Sequence, residues 1–507
     1  MMFQNSIEAG QTTVYRLFRS QALIAPGSPA IKYGDAIQTY GELLARANRL
    51  ANALQANGIG KGDRVAILSH NRPEYIELEL AAAALGAIVC CLNWRLVEDE
   101  LAHCISLVAP KLVIAEEEFT SDLGKITDVP VLVIGKDYED RLASASDDTP
   151  DTNVEPEDGL IILYTSGTTG LPKGAVVSHR AMMARALLFT SELALATDDG
   201  FVAWAPLFHM ASTDHALATL MRGGLVIVVD GYQPDAMIEA IESHSIGWLV
   251  LIPGMIEGFI DACNKAAIKP RGIRICGAMA DLVPPQQIAE ITKILDTPYA
   301  NSFGATETGL APASRGRIEP GDIPERLSKQ QTAFCEVRLV NAGDEDVADG
   351  DPGEMALRGP TLFSGYWNAD EANAECFRGG WFHMGDMFRR NPDGTLDFVD
   401  RAKYLIKTGG ENVYPAEIER VLLADPDVTD AAVVRTGDDR WGEVPIAFVS
   451  RSSESVTEES LMAKCSQSLA RYKLPREIRF IDFDDFPRST SGKIQRHLLE
   501  QTLKDPQ

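Results

Sequence analysis

The chain has little positive charge, no paired-cysteine motif and no apolar run long enough to cross a bilayer. Lys and Arg number 47 against 73 Asp and Glu, a formal charge of −26 at pH 7. That surplus repels nucleic acid and anionic membrane surfaces as non-specific partners. The eight cysteines include no C-x-x-C spacing, and Cys90 and Cys91 are adjacent, so neither a zinc site nor a disulfide scaffold is indicated. Reduced, buried thiols in a cytoplasmic protein are the expectation. The stretch from Met1 to Gly10 lacks a basic region followed by an apolar one, so no secretory signal is expected. The longest apolar run, Leu80 to Leu92, is too short for a membrane span and is flanked by Glu77, Glu79 and Arg95. It reads as a buried helix passing into a strand.

What is present is an α/β chain of 507 residues, too long for one hydrophobic core. Val65–Leu68, a helix from Pro73 and Ile88–Cys91 make a βαβ unit. Leu112–Ala115, Val131–Gly135 and Leu225–Val229 read as further buried strands. Alternating β and α implies layers built on mostly parallel sheets. Beyond Leu396–Val399 the pattern changes to short strands and two helices, Ala416–Leu423 and Glu458–Ala470, which suits a small separate α+β domain. The boundary is placed near Lys403, giving a large domain over 1–402 and a small mobile one over 403–507.

The most informative stretch is Tyr164-Thr165-Ser166-Gly167-Thr168-Thr169-Gly170-Leu171-Pro172-Lys173-Gly174, which follows the strand Leu160–Leu163. Four hydroxyls, closely spaced glycines and one lysine suit an anionic phosphate chain. The order G-x-x-G-x-x-K is not that of a Walker A loop.

This loop resembles the signature of the adenylate-forming superfamily, which includes acyl-CoA synthetases, luciferases and the adenylation domains of peptide synthetases. Further motifs follow in that family's order over nearly the whole chain: Trp204–His209, Gly277–Met279, Ser302–Gly309, Gly385-Asp386 with Arg401, and Pro487–Lys493. By this resemblance Thr165, Ser166, Gly167, Thr168, Thr169, Gly170 and Lys173 bind the ATP phosphates. Gly277 and Ala278 contact adenine, Phe303 stacks on it beside Gly304, and Thr306 touches the α-phosphate. Asp386 and Arg401 hold the ribose, since a carboxylate accepts from two vicinal hydroxyls. Glu307 is the metal residue for Mg²⁺, because a hard carboxylate oxygen suits a hard cation bridging phosphates. Lys493, Thr165 and Glu307 are the implied catalytic residues.

His209, Met210, Gly277, Gly304, Gly309 and Leu310 are the implied acyl pocket, with His209 as its gate. Gly409 and Gly410 would let the pantetheine arm of CoA pass, and Trp441, Tyr472 and Lys473 would meet its nucleotide. Lys403 would be the hinge of a rotation that alternates the two half-reactions. Two features depart from the family pattern. Phe303 stands where relatives usually carry tyrosine, and Leu327–Cys335 replaces a Gly/Pro-rich turn.

The resemblance implies an AMP-forming acyl-CoA synthetase using ATP, Mg²⁺ and CoA on an apolar aromatic or medium-chain aliphatic acid. The rival is an enzyme that loads a carrier-protein phosphopantetheine, and a homodimer stays open. Asp214 is the residue that keeps an α-ammonium substrate in play. ATP and CoA are polyanions, so each cation near their sites must work against a repulsive global field.

Overall fold

The strand, turn, helix and strand read from Val65 to Cys91 fold as Arg64–Leu68, Pro73–Leu85 and Ile88–Cys91. Pro73 supplies the preset φ of a first helical position, and Gly86 ends the helix at φ 70°. The helix is buried along its length, including Glu77 and Glu79. Glu77 survives burial by meeting Arg46 at 2.5 Å and the Tyr138 hydroxyl at 2.8 Å. No described helix is long and apolar enough to cross a membrane.

These elements belong to a computed structural model that describes residues 10–165, 171–408, 411–438, 440–488 and 494–504. Ser166, Gly167, Thr168, Thr169, Gly170, Gly409, Gly410 and Lys493 lie outside the described residues. The chain divides into two compact units, Met1–Val337 with Leu357–Phe382, and Arg338–Ala356 with His383–Gln507.

The first unit is layered α/β. One six-stranded sheet runs Val131–Val133, Leu112–Ala115, Arg64–Leu68, Ile88–Cys91, Gly159–Thr165, Lys173–Ser178. Its first five strands are parallel and the last is antiparallel. The phosphate-loop sequence therefore joins two antiparallel strands, with Thr165 paired opposite Lys173. The next helix among the described residues begins at His179. An eight-stranded sheet leads into Trp204–His209 and Gly277–Met279, with Gly200–Ala203, Val226–Val228, Ile246–Leu249 and Ile273–Cys276 parallel at its centre. Seven of the eight cysteines are buried and none is bridged, as expected.

The second unit holds most of a four-stranded sheet, Glu336–Val340, Pro352–Arg358, Phe382–Arg390 and Leu396–Arg401, and a five-stranded sheet. In the latter, residues 431–434 of strand Val428–Asp438 alternate between two cores: Ala431 and Val433 join the one with helices Pro415–Leu423 and Glu458–Ser468, while Ala432 and Val434 join Phe486 and Leu499. Lys403 sits in the short turn Ala402–Tyr404 that links the two sheets. Along this part of the chain the edge of the compact unit falls at Phe382/His383.

Candidate active site

In the first unit, two motifs distant in sequence meet at Tyr366. Its hydroxyl donates to Glu307 Oε1 at 2.7 Å, and Lys173 Nζ lies 5.2 Å from its ring centroid. A cation over a tyrosine face gains electrostatic attraction from the ring. Tyr366 reaches this place because Gly365–Trp367 pairs beside Lys173–Ser178, through Val176 N–H to Gly365 O and Trp367 N–H to Gly174 O, at 3.0 and 2.8 Å. Tyr366 was not singled out from the sequence. Gly365-Tyr366-Trp367 carries only a turn signal, and its partners are far along the chain.

Glu307 is half-buried, and its carbonyl accepts from Phe363 N–H at 2.8 Å. Thr308 Oγ1 accepts from Ala305 N–H at 3.0 Å and closes the turn before it. A carboxylate held on one oxygen by a phenol, with backbone fixed on both sides, fits the requirements of a Mg²⁺ ligand. Among the described residues one other group has metal-type atoms close together, His70, Glu116 and Glu118, within 4.8 Å. Glu116 is already engaged by Ser69, His70 N–H and Arg72 at 2.8, 2.7 and 3.0 Å, so that group is an ion-pair cluster.

Gly277 and Ala278 follow the strand Ile273–Cys276. Gly277 has φ 77°, and a Cβ there would come within 2.1 Å of the Tyr299 ring. Trp248 Nε1 donates to Gly277 O at 2.8 Å, and Tyr299 Oη to Ala278 O at 2.9 Å, so two aromatic donors set this turn. Phe303 and Gly304 lie on the hairpin Phe303–Ala305 with Gly309–Ala313. Met210 and Leu310 join one apolar core with Trp248 and Val250, against which Ala278 packs. His209 is exposed, and its Nδ1 accepts from Ala211 N–H at 3.2 Å, capping helix Met210–Arg222.

The segment departing from the family pattern contributes a buried cation. Lys329 is fully buried, pairs with Asp281 at 2.5 Å and donates to Asn301 Oδ1. It ties the chain just after Gly277–Met279 to the chain just before Phe303. A lysine in a polar stretch gives no sequence signal for such a role.

Asp214 is also fully buried, 3.0 Å from Arg185, and therefore spends its charge inside the protein. The candidate for pairing an α-ammonium is committed elsewhere. Beside it, Thr213 donates to Glu79 Oε1, and burial pushes Glu79 up to about 8, with the Asp214 charge adding to the rise. Between pH 4.5 and about 8 the unfolded chain releases a proton that the folded chain retains, so this group lowers stability as pH rises. Glu79→Gln is expected to raise the melting temperature more at pH 8 than at pH 5. Parallel melting curves for the two proteins across that range would contradict it.

In the second unit, Asp386 and Arg401 stand opposite one another on adjacent strands, 2.7 Å apart, with Asp386 almost fully buried. Trp441 and Tyr472 are 46% and 43% exposed, and Arg440 stacks on Trp441 at 4.7 Å. Lys473 meets Glu417 at 2.6 Å and Arg476 pairs with Asp438. The cation expected at the CoA nucleotide, Lys473, is thus partly neutralised within the protein.

Residues 18–367 match the AMP-binding enzyme family and residues 417–493 the AMP-binding enzyme C-terminal domain. Feruloyl-CoA synthase of an Amycolatopsis species is 34% identical over 485 residues, covering 94% of this chain and 96% of that protein. Indoleacetate–CoA ligase of Aromatoleum aromaticum is 32% identical over 495 residues, covering 95% and 96%. The structure of Bacillus subtilis o-succinylbenzoate CoA synthetase with its acyl-adenylate intermediate superposes with a TM-score of 0.84 at 26% identity, covering 98% and 99%. With both family regions matched in order and relatives aligned from end to end, the chain belongs to the adenylate-forming AMP-binding enzymes, in their acid–CoA ligase branch.

Proposed function

We propose that this acid–CoA ligase acts on an apolar carboxylic acid, aromatic or medium-chain aliphatic, through an acyl-adenylate. The observation that carries the reading is the double contact of Tyr366, which puts the loop lysine and the metal-type carboxylate on one side chain.

A carboxylate oxygen attacks the α-phosphorus of ATP, the bond to the β-phosphate oxygen breaks, and pyrophosphate leaves. Lys173 and the loop donors meet the phosphates, Thr306 the α-phosphate, and Phe303 the adenine face. Mg²⁺, held by Glu307, would neutralise phosphate charge when bound. Lys493 would meet the oxygens that gain charge, and Asp386 would accept from the ribose hydroxyls. The CoA sulfur then attacks the acyl carbon, its proton departs to solvent, and the bond to AMP breaks. Glycine at 409 and 410 would leave room for the pantetheine arm.

The apolar surroundings of Met210 and Leu310 favour an uncharged acyl group, and the Asp214–Arg185 pair removes the acid that would recognise an amine. A pyrophosphate-release screen over aromatic, aliphatic and α-amino acids tests this. Apolar acids should give the fastest release, and an α-amino acid at the top of the ranking would overturn the substrate class. Pyrophosphate release without thioester formation from CoA would point to carrier-protein loading.

A further inference from the structure

We infer that Arg185, with Asp214 as its counter-ion, is a positioning residue that sets Thr306 and Glu307 for the phosphate and metal contacts of adenylation. The inference rests on the reading of those two residues given above.

Arg185 lies in helix His179–Glu192 and is fully buried. Its three nitrogens go to three separate segments. Nη1 meets Asp214 Oδ2 at 3.0 Å, Nε donates to Thr361 O at 3.1 Å, and Nη2 donates to Thr306 O at 3.0 Å. Its stem fills the space beside Gly309, where a Cβ would fall 2.9 Å from Cγ, Cδ and Nε. Gly309 has φ 66°, which an L side chain rarely adopts. The guanidinium group and its stem therefore support both ends of the turn 306–309.

The Thr361 contact reaches the same place by a second route. Two residues further on, Phe363 N–H donates to Glu307 O at 2.8 Å, and Tyr366 then holds the Glu307 carboxylate at 2.7 Å. One rigid planar fork thus fixes the Thr306 carbonyl directly and the Glu307 backbone through the neighbouring segment.

Stability alone is a poor reason for such a pair. Desolvating two charges offsets most of their attraction, and apolar replacements of similar volume are often neutral or stabilising. What the fork adds is direction, and both directed donors end on the turn that carries Thr306 and Glu307 or on the segment that braces it. A lysine at 185 could neutralise Asp214 but could not span three acceptors in one plane.

The test uses Arg185→Met combined with Asp214→Asn, which removes both charges and leaves no buried carboxylate unpaired. Calorimetric binding of α,β-methylene-ATP is measured across a Mg²⁺ titration, beside adenosine binding and thermal melting. The double variant is expected to bind the Mg²⁺-loaded analogue about tenfold or more weakly, the equivalent of one to two lost hydrogen bonds. Its half-saturating Mg²⁺ concentration should rise by a similar factor, and adenosine binding should change less than about twofold. Arg185→Lys should recover little of the loss. If the double variant does not fold, Asp214→Asn alone should shift Mg²⁺ dependence in the same direction, and no shift would overturn the inference. Unchanged binding of the analogue, or equal losses for analogue and adenosine, would also overturn it. A wild-type protein that binds no Mg²⁺-loaded analogue would overturn the functional reading itself.

Discussion

Replacing Lys493 with alanine is expected to slow acyl-adenylate formation by about 10³-fold, while thioester formation from supplied acyl-adenylate changes less than about threefold. Removing a single fixed group that stabilises developing charge costs that much in a water-excluded site. The chain on either side of Lys493 is anchored by ion pairs in the second unit. Arg488 meets Asp430 at 2.5 Å, and Arg496 meets Glu419 at 2.6 Å. Arg488 and Ile494 also pair antiparallel. A local defect at Lys493 should therefore leave the fold intact. Equal losses in the two half-reactions, measured by pyrophosphate exchange and by thioester formation, would contradict a role confined to adenylation.

Glu307→Gln should lower pyrophosphate exchange by about 10²-fold, with the loss only partly recovered by excess Mg²⁺. Glutamine retains the shape and can still accept from the Tyr366 hydroxyl, so the change isolates the charge. Tyr366→Phe keeps the charge and the ring beneath Lys173 but releases Oε1. It should cost about tenfold, the worth of one hydrogen bond to a charged group. If Tyr366→Phe were as damaging as Glu307→Gln, the carboxylate would matter for its placement more than for its charge.

Local pattern made much of this architecture legible. The buried strands, the Pro73 helix start and the small C-terminal α+β unit follow from apolar runs, turn residues and caps acting over a few residues. The phosphate-loop composition spoke for itself, although the strand after it did not. Lys173 reads as the end of a loop, and only its pairing with Thr165 makes it the start of an antiparallel partner.

What escaped the sequence shares one physical cause. Tyr366, Arg185 and Lys329 act through partners 28 to 193 positions away, from Lys329 with Asn301 at the near end to Tyr366 with Lys173 at the far end. No periodicity marks a side chain whose meaning lies in a carbonyl across the core. Glu79 looked like the polar edge of an apolar run and is instead a buried carboxyl held protonated near neutral pH by desolvation. Lys473 looked like a landing site for CoA phosphates, and Glu417 takes much of its charge. The net charge is additive over residues and so was readable; its local cancellation depends on packing.

In the proposed first step the substrate carboxylate attacks the α-phosphorus of ATP. Supplying a reactive acid labelled with ¹⁸O in its carboxylate, with ATP, Mg²⁺ and CoA, follows the oxygen that makes the new bond. Acyl-adenylate formation places one labelled oxygen in the phosphate of AMP for each acyl-CoA made. Label in inorganic phosphate with ADP as the nucleotide product, or thioester formation with unlabelled AMP, would contradict the account.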